Sequence, residues 1–212
     1  MENKKEKKTK INIILPNYNS HEFIEETIKS IINQTYFDWE LIIVDDNSNN
    51  ETKNILKKFS KNKKIKIYFL KKNQGAGFCR NYAIKKAKSP YIAFIDSDDI
   101  WKKSKLKDQI NFMLKNKYSF SYTCYETFGD KNKIISPPLK FDYSSFIHNT
   151  SIATSTMMVK RSEITNIKFT KTKICEDYYF KCKLLKKVNY AFCLNKFLLL
   201  ASRQPKNHLY QK

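Results

Sequence analysis

The sequence predicts an α/β fold: a mostly parallel central sheet flanked by helices, with a smaller mixed part added toward the C-terminus. Three observations predict it. Residues 11–100 alternate short apolar runs with amphipathic helical patterns. The runs at 40–44 and 91–95 are almost wholly apolar, the composition of strands buried on both faces. Each run ends in polar residues, and parallel strands bring such ends to one edge, where open α/β sheets bind ligands.

Element by element, residues 11–15 form a first strand ended by Pro16, which cannot donate to a ladder. Phe23, Thr27, Ile28, Ile31 and Ile32 recur at helical spacing and predict a helix over 21–34. A second strand at 40–44 runs into Asp45 and Asp46, and residues 51–60 suit a helix with Asn50 as its N-cap. Ile65, Ile67 and Phe69 alternate as a third strand; a helix at 78–88 follows, and Ser89-Pro90 punctuates before the strand at 91–95. Residues 103–117 place Leu106, Ile110, Phe112, Met113 and Leu114 on the apolar side of another helix. Beyond that the rhythm changes: strands at 118–126 and 133–136 around a turn at Gly129-Asp130, a break at Pro137-Pro138, a strand at 154–159, a helix at 176–187 and a closing strand at 197–201.

A chain of 212 residues suits one domain with a sizeable core. Residues 1–10 read as a flexible basic tail, 11–203 as the single domain and 204–212 as a C-terminal tail. No run reaches the 18 apolar residues of a membrane span; the longest, 190–201, is interrupted by Asn195 and Lys196. The N-terminus lacks the apolar stretch of a secretion signal, so a cytoplasmic protein is expected. Its five cysteines lack Cys-x-x-Cys spacing and are expected to be reduced and buried. Of 41 basic residues only Arg80, Arg161 and Arg203 are arginine, and the net charge is +21. Diffuse lysine argues against a specific nucleic-acid reader, is compatible with peripheral contact with an anionic inner membrane, and in large part is solvated surface.

The densest chemistry lies at residues 91–101, where the apolar strand runs into Asp96, Asp98 and Asp99. Strand alternation would point Asp96 and Asp98 the same way. Two like charges so placed call for a hard divalent cation such as magnesium or manganese. Three more strand-end segments should join them: Pro16-Asn17-Tyr18-Asn19, Asp45-Asp46-Asn47-Ser48 and Asn73-Gln74-Gly75-Ala76-Gly77. Tyr18 is suited to stack on a base, Asp46 to accept a ring N–H, and Arg80 to meet either a phosphate or an acidic neighbour. Each also has a plain structural use, as loop residue, helix cap or ion pair; their convergence is what argues for a site. The glycine-rich segment lacks the lysine and Ser/Thr of a P-loop, which removes support for ATP hydrolysis. His21, His148 and His208 have no zinc-site spacing. Trp101 is suited to line a sugar pocket, with packing its commoner use.

These segments together resemble the family 2 glycosyltransferases of the Rossmann-like GT-A fold. The resemblance runs over residues 11–203: Ile-Leu-Pro-Asn-Tyr-Asn from Ile14 to Asn19, the long block from Trp39 to Ser48, Asn73-Gln74-Gly75 with Arg80-Asn81-Tyr82, the Asp-x-Asp of Asp96 and Asp98, and Cys175-Glu176-Asp177-Tyr178. Ser202 stands before Arg203 where the family often has Tyr-Arg.

The resemblance implies that residues 11–100 bind a nucleotide-sugar donor, UDP-linked, and that 101–203 bind the acceptor. Pro16, Asn17, Tyr18, Asp45, Asp46, Gly75, Arg80 and Asp96 would surround the nucleotide, and Asp98 with Asp96 would hold manganese or magnesium. Asp177, beside Glu176, would be the base of an inverting transfer to a lipooligosaccharide, lipopolysaccharide or capsule glycan, free or lipid-linked. Two other readings stand beside it. A sugar-phosphate nucleotidyltransferase would need a glycine-rich basic loop after the first strand, which residues 16–19 do not supply. A polyanion-binding module would rest on charge alone.

Overall fold

Residues that alternate in a strand must face opposite sides, so a strand apolar at every position has to be covered twice. The computed structural model, which describes residues 10–129, 132–172 and 175–203, builds this for the strands at 11–17, 39–45 and 91–94. In chain order the elements are β1 (Ile11–Asn17), α1 (Ile24–Ile32), β2 (Trp39–Asp45), α2 (Asn50–Lys58), β3 (Ile65–Phe69), α3 (Ala76–Lys86), β4 (Tyr91–Phe94), β5 (Ile100–Trp101) and α4 (Lys105–Asn116). They continue as β6 (Phe120–Gly129), β7 (Lys133–Ile135), β8 (Lys140–Phe141), α5 (Tyr143–His148), β9 (Met158–Lys160), α6 (Glu176–Val188) and β10 (Ala191–Arg203), with single 3-10 turns at Thr154–Thr156 and Arg161–Ile164.

One sheet runs through both halves in the order β3-β2-β1-β4-β9-β6-β10-β5, with β7 paired to β6 and β8 to β10. β3, β2, β1 and β4 are mutually parallel; β9 enters antiparallel to β4 and β6, and β10 lies parallel to β6. The two apolar layers follow the alternation. Ile13, Leu15, Leu41, Ile43 and Ala93 join α1 and α4 residues such as Ile28 and Ile110 on one face. Ile14, Ile42, Val44, Ile92 and Phe94 meet Cys79, Phe180 and Leu184 on the other. Truncating one of these aliphatic side chains to alanine costs about 2–5 kcal/mol.

Several expectations need correction. The first strand continues through Pro16, which sits buried opposite Val44 on β2. The cap of α2 is Asn49, not Asn50: its side chain accepts the Thr52 N–H at 2.9 Å. Residues 154–159 are not one strand; a 3-10 turn occupies 154–156 and only Met158–Lys160 pair with β4. The interrupted apolar run at 190–201 is a strand, and its polar interruption falls in the register shift between Leu194 and Phe197. β5, β8 and α5 are too short for any period to show in the sequence. Leu114 is exposed, because the face of α4 turned inward carries Lys105, Leu106, Gln109, Ile110 and Met113.

All five cysteines are free; Cys79, Cys124 and Cys193 are buried as expected, whereas Cys182 is half-buried and Cys175 exposed. It opens α6 in the left-handed region at φ 60°, where it has no core to join. Among the described residues no helix is long and apolar enough to cross a membrane. Residues 1–9 of the expected N-terminal tail at 1–10, the expected tail at 204–212, and Asp130 of the predicted turn lie outside the described residues.

Candidate active site

The loops after β1, β2, β3 and β4 meet at one sheet edge, and polar side chains fasten them to one another. Asn17, at the end of β1, donates its amide to Asp45 Oδ1 at 2.7 Å and accepts the hydroxyl of Ser20. Asp45 is fully buried; its second oxygen accepts the Ser48 N–H at 3.1 Å. The chain can turn here because Asn19 and Asn47 take positive φ, 47° and 62°, a region asparagine tolerates. Asp46 reaches the next loop, accepting the N–H of Gln74 at 2.8 Å and of Gly75 at 2.7 Å. Gly75 has φ 89°, which any side chain would strain, and opens α3. Asn17 and Asp45 thus build the loops, and Tyr18 stands half-buried beside them.

Gly77 allows α3 to approach residues 169–170: a Cβ there would lie 2.8 Å from the carbonyl oxygen of Thr170. One turn on, Arg80 is buried and forks between two carboxylates, Asp96 at 2.7 Å and Glu176 at 2.9 Å, with its guanidinium 5.2 Å from the Phe169 ring centre. Of the two partners open to it, the structure supplies the acidic one. Burial opposes the guanidinium's charge, but Asp96 and Glu176 outweigh it and hold the group more firmly protonated than usual.

The acidic segment is placed differently from its expectation. β4 stops at Phe94, so Asp96 and Asp98 are not alternate residues of a strand; residues 96–99 form a turn closed by the Asp99 N–H on the Asp96 carbonyl at 3.2 Å. The Asp96 N–H binds Ser155 Oγ at 2.9 Å, Thr27 holds the Ser97 carbonyl at 3.0 Å, and Asp99 accepts the Ser202 N–H at 2.9 Å. Burial, then the charges of Asp98 and Asp96, push the Asp99 carboxyl well above the ordinary range. Asp98 and Asp96 crowd the Asp99 carboxyl, and a divalent cation at the turn would relieve that crowding. Carboxylates are also the hard oxygen donors that magnesium and manganese take, so the residues present fit such an ion. Among the described residues no three His, Cys, Asp or Glu side chains gather as a complete ligand set. Further positions would fall to phosphate oxygens and water, as is usual for these ions.

Asp177 lies in the first turn of α6, next to Glu176. It accepts the Lys181 ammonium at 2.7 Å and the Thr154 hydroxyl at 2.9 Å. Burial pushes its pKa up, but Lys181, Thr154 and Arg80 outweigh burial and hold it well below the carboxylate range, so it is ionised. Trp101 packs rather than lining a pocket: it is buried, and Nε1 donates to the Ser155 carbonyl at 2.9 Å. Sequence reasoning missed Lys181, although its place four residues after Asp177 on a helix was a signal. Thr154 and Ser155, in a segment that resembles the family's approach to the acceptor side, show their individual contacts only in the structure, because they sit in a turn where a strand is expected.

Comparison with known proteins agrees with this architecture. The profile described as glycosyl transferase family 2 matches residues 12–188. The UDP-Glc:alpha-D-GlcNAc-diphosphoundecaprenol beta-1,3-glucosyltransferase WfgD of Escherichia coli is 36% identical over 200 residues, 91% of this chain and 78% of that protein. The crystal structure of Staphylococcus aureus TarS in complex with UDP-GlcNAc superposes with a TM-score of 0.83 at 25% identity, over 94% of this chain but 60% of that one. The mannosyltransferase PcManGT of Pyrobaculum calidifontis, in complex with GDP-Man and Mn2+, shares the fold, with a TM-score of 0.74 at 14% identity over 96% of this chain and 59% of that one.

Proposed function

The chain belongs to glycosyl transferase family 2, and on that premise we propose that it is an inverting glycosyltransferase moving a sugar from a UDP-linked donor to a hydroxyl of a growing bacterial surface glycan. The observation that carries the reading is Arg80, which ties the acidic turn after β4 to the carboxylates opening α6. That link supports a site in which the acidic turn faces the diphosphate and Asp177 serves as base. WfgD's name supports a UDP-sugar donor and a diphosphoundecaprenol-linked acceptor, and the TarS complex supports a UDP-sugar in the pocket. Residues 11–203 act as one catalytic domain, 11–100 on the donor and 101–203 on the acceptor. The lysine excess favours peripheral contact with the anionic membrane that holds such an acceptor.

The roles follow from chemistry. Tyr18 stacks on the base. Each oxygen of Asp46 takes one backbone N–H and keeps a second lone pair for a base N–H. Pro16, Asn17, Asp45 and Gly75 shape that pocket through the loops they hold. Asp98 and Asp96 would hold magnesium or manganese, which when bound supplies Lewis-acid stabilisation of the departing diphosphate. Arg80 orients Asp96 and Glu176 and offsets one of their two charges. Asp177 takes the proton of the acceptor hydroxyl as that oxygen bonds to the anomeric carbon; the bond to the diphosphate breaks on the opposite face, its electron pair leaving with the nucleotide.

The test is a panel of UDP- and GDP-sugars, assayed for transfer to lipid-linked acceptors with manganese and with chelator. Asp177→Asn should lower turnover about 100- to 10,000-fold and leave donor affinity intact. Transfer that survives Asp177→Asn, or no transfer from any nucleotide sugar, refutes the assignment.

A further inference from the structure

The two oxygens of Asp177 are held unequally. Oδ2 accepts both Lys181 Nζ at 2.7 Å and Thr154 Oγ1 at 2.9 Å, whereas Oδ1 accepts only the amide of Tyr178, at 2.8 Å, among the described residues. Both side-chain donors come from fixed places. Lys181 is one helical turn along α6 and its side chain is 5% exposed, so this is no loose surface pair; an ammonium buried to that degree persists only when paired. Thr154 belongs to the 3-10 turn whose next residue, Ser155, accepts the Asp96 N–H at 2.9 Å and the Trp101 indole at 2.9 Å. The Thr154 bond therefore places the carboxylate of α6 relative to the acidic turn on the other side of the site.

We propose that Lys181 and Thr154 are positioning residues for sugar transfer, clamping Oδ2 of Asp177 so that Oδ1 is presented to the acceptor hydroxyl. The proposal rests on Asp177 being the base. During the step Lys181 Nζ keeps donating to Oδ2, while the hydroxyl proton passes to Oδ1. Asp177 enters the step ionised, and the clamp sets how readily it takes the proton. The charged and titratable groups around it are few. Lys181 and Glu176 lie on α6 itself, and Arg80 faces it from α3, already shared between Asp96 and Glu176. The elements packed on α6 add Tyr143 and His148 from α5, and Arg161 and Glu163 from the turn at 161–164, the latter 3.6 Å from Lys187. The turn at 154–156 contributes only hydroxyls.

The experiment measures kcat against pH for the full chain at saturating UDP-sugar. Lys181→Met removes the opposing charge, so the acid limb of the profile should rise by about one to three pH units, with donor affinity unchanged. Lys181→Arg should return the limb toward the wild type. Thr154→Val, which keeps shape and loses the donor, should move the limb the same way by less and lower kcat; Thr154→Ser should restore both. If Lys181→Met does not fold, Thr154→Val and Thr154→Ser decide the matter alone. An active wild type whose acid limb is unmoved by these substitutions overturns the clamp and leaves the transferase reading standing. A wild type that transfers no sugar overturns both.

Discussion

The loops on the donor side and the charges that join the two halves are held by different kinds of bond. Asp45, Asp46 and Asn49 take backbone or amide N–H groups from their own or the neighbouring loop: Ser48, Asn17, Gln74, Gly75 and Thr52. Such bonds fix shape, and losing one costs roughly one unsatisfied polar group. Arg80 with Asp96 and Glu176, and Lys181 with Asp177, are ion pairs in which at least one partner is buried. These fix charge as well as shape, and losing one partner strands the other away from water. α4 holds a third case. Lys105 is fully buried, 3.7 Å from the Trp101 ring centre, with no hydrogen-bond partner for Nζ among the described residues, and burial pushes its pKa well below the lysine range.

The contrast predicts an order of effects. Arg80→Met should be the most damaging, costing about 3 kcal/mol by urea unfolding; this is the low end for a buried pair, because the Asp96 side chain is 37% exposed. A loss no greater than that of a helix cap would erase the distinction. Lys105→Met should act in the opposite direction, stabilising by about 1–2 kcal/mol near neutral pH, since an unpaired buried amine gives way to an apolar chain of similar shape. Its pH dependence has a definite sign. The unfolded chain binds the lysine proton more readily than the folded one, so the penalty is full below the lowered folded pKa. It fades as pH rises to the ordinary lysine range. The gain in melting temperature from Lys105→Met should therefore shrink with rising pH, and a gain that grows would show that the amine is paired. Asn49→Ala should be smallest, about 1 kcal/mol in thermal melts, with donor affinity unchanged.

Much of the site was legible because it is written in neighbouring residues. The period of two in residues 40–44, the period of 3.6 in residues 21–34 and the acidic ends of two strands are local patterns, and parallel pairing then obliges those ends to meet. Asp177 became legible only through likeness to a family, since a carboxylate at a helix start has a simpler use. The sequence by itself determined the α/β alternation, the four converging loops and the carboxylates at their tips, for burial on two faces leaves a strand few other compositions. Only the tertiary structure decided that Arg80 reaches Glu176, 96 residues away, that residues 154–156 coil into a turn, and that Lys181 and Thr154 share one oxygen of Asp177. A charge selects its partner by which segments the packed core brings within a few ångströms, and no local period encodes that choice.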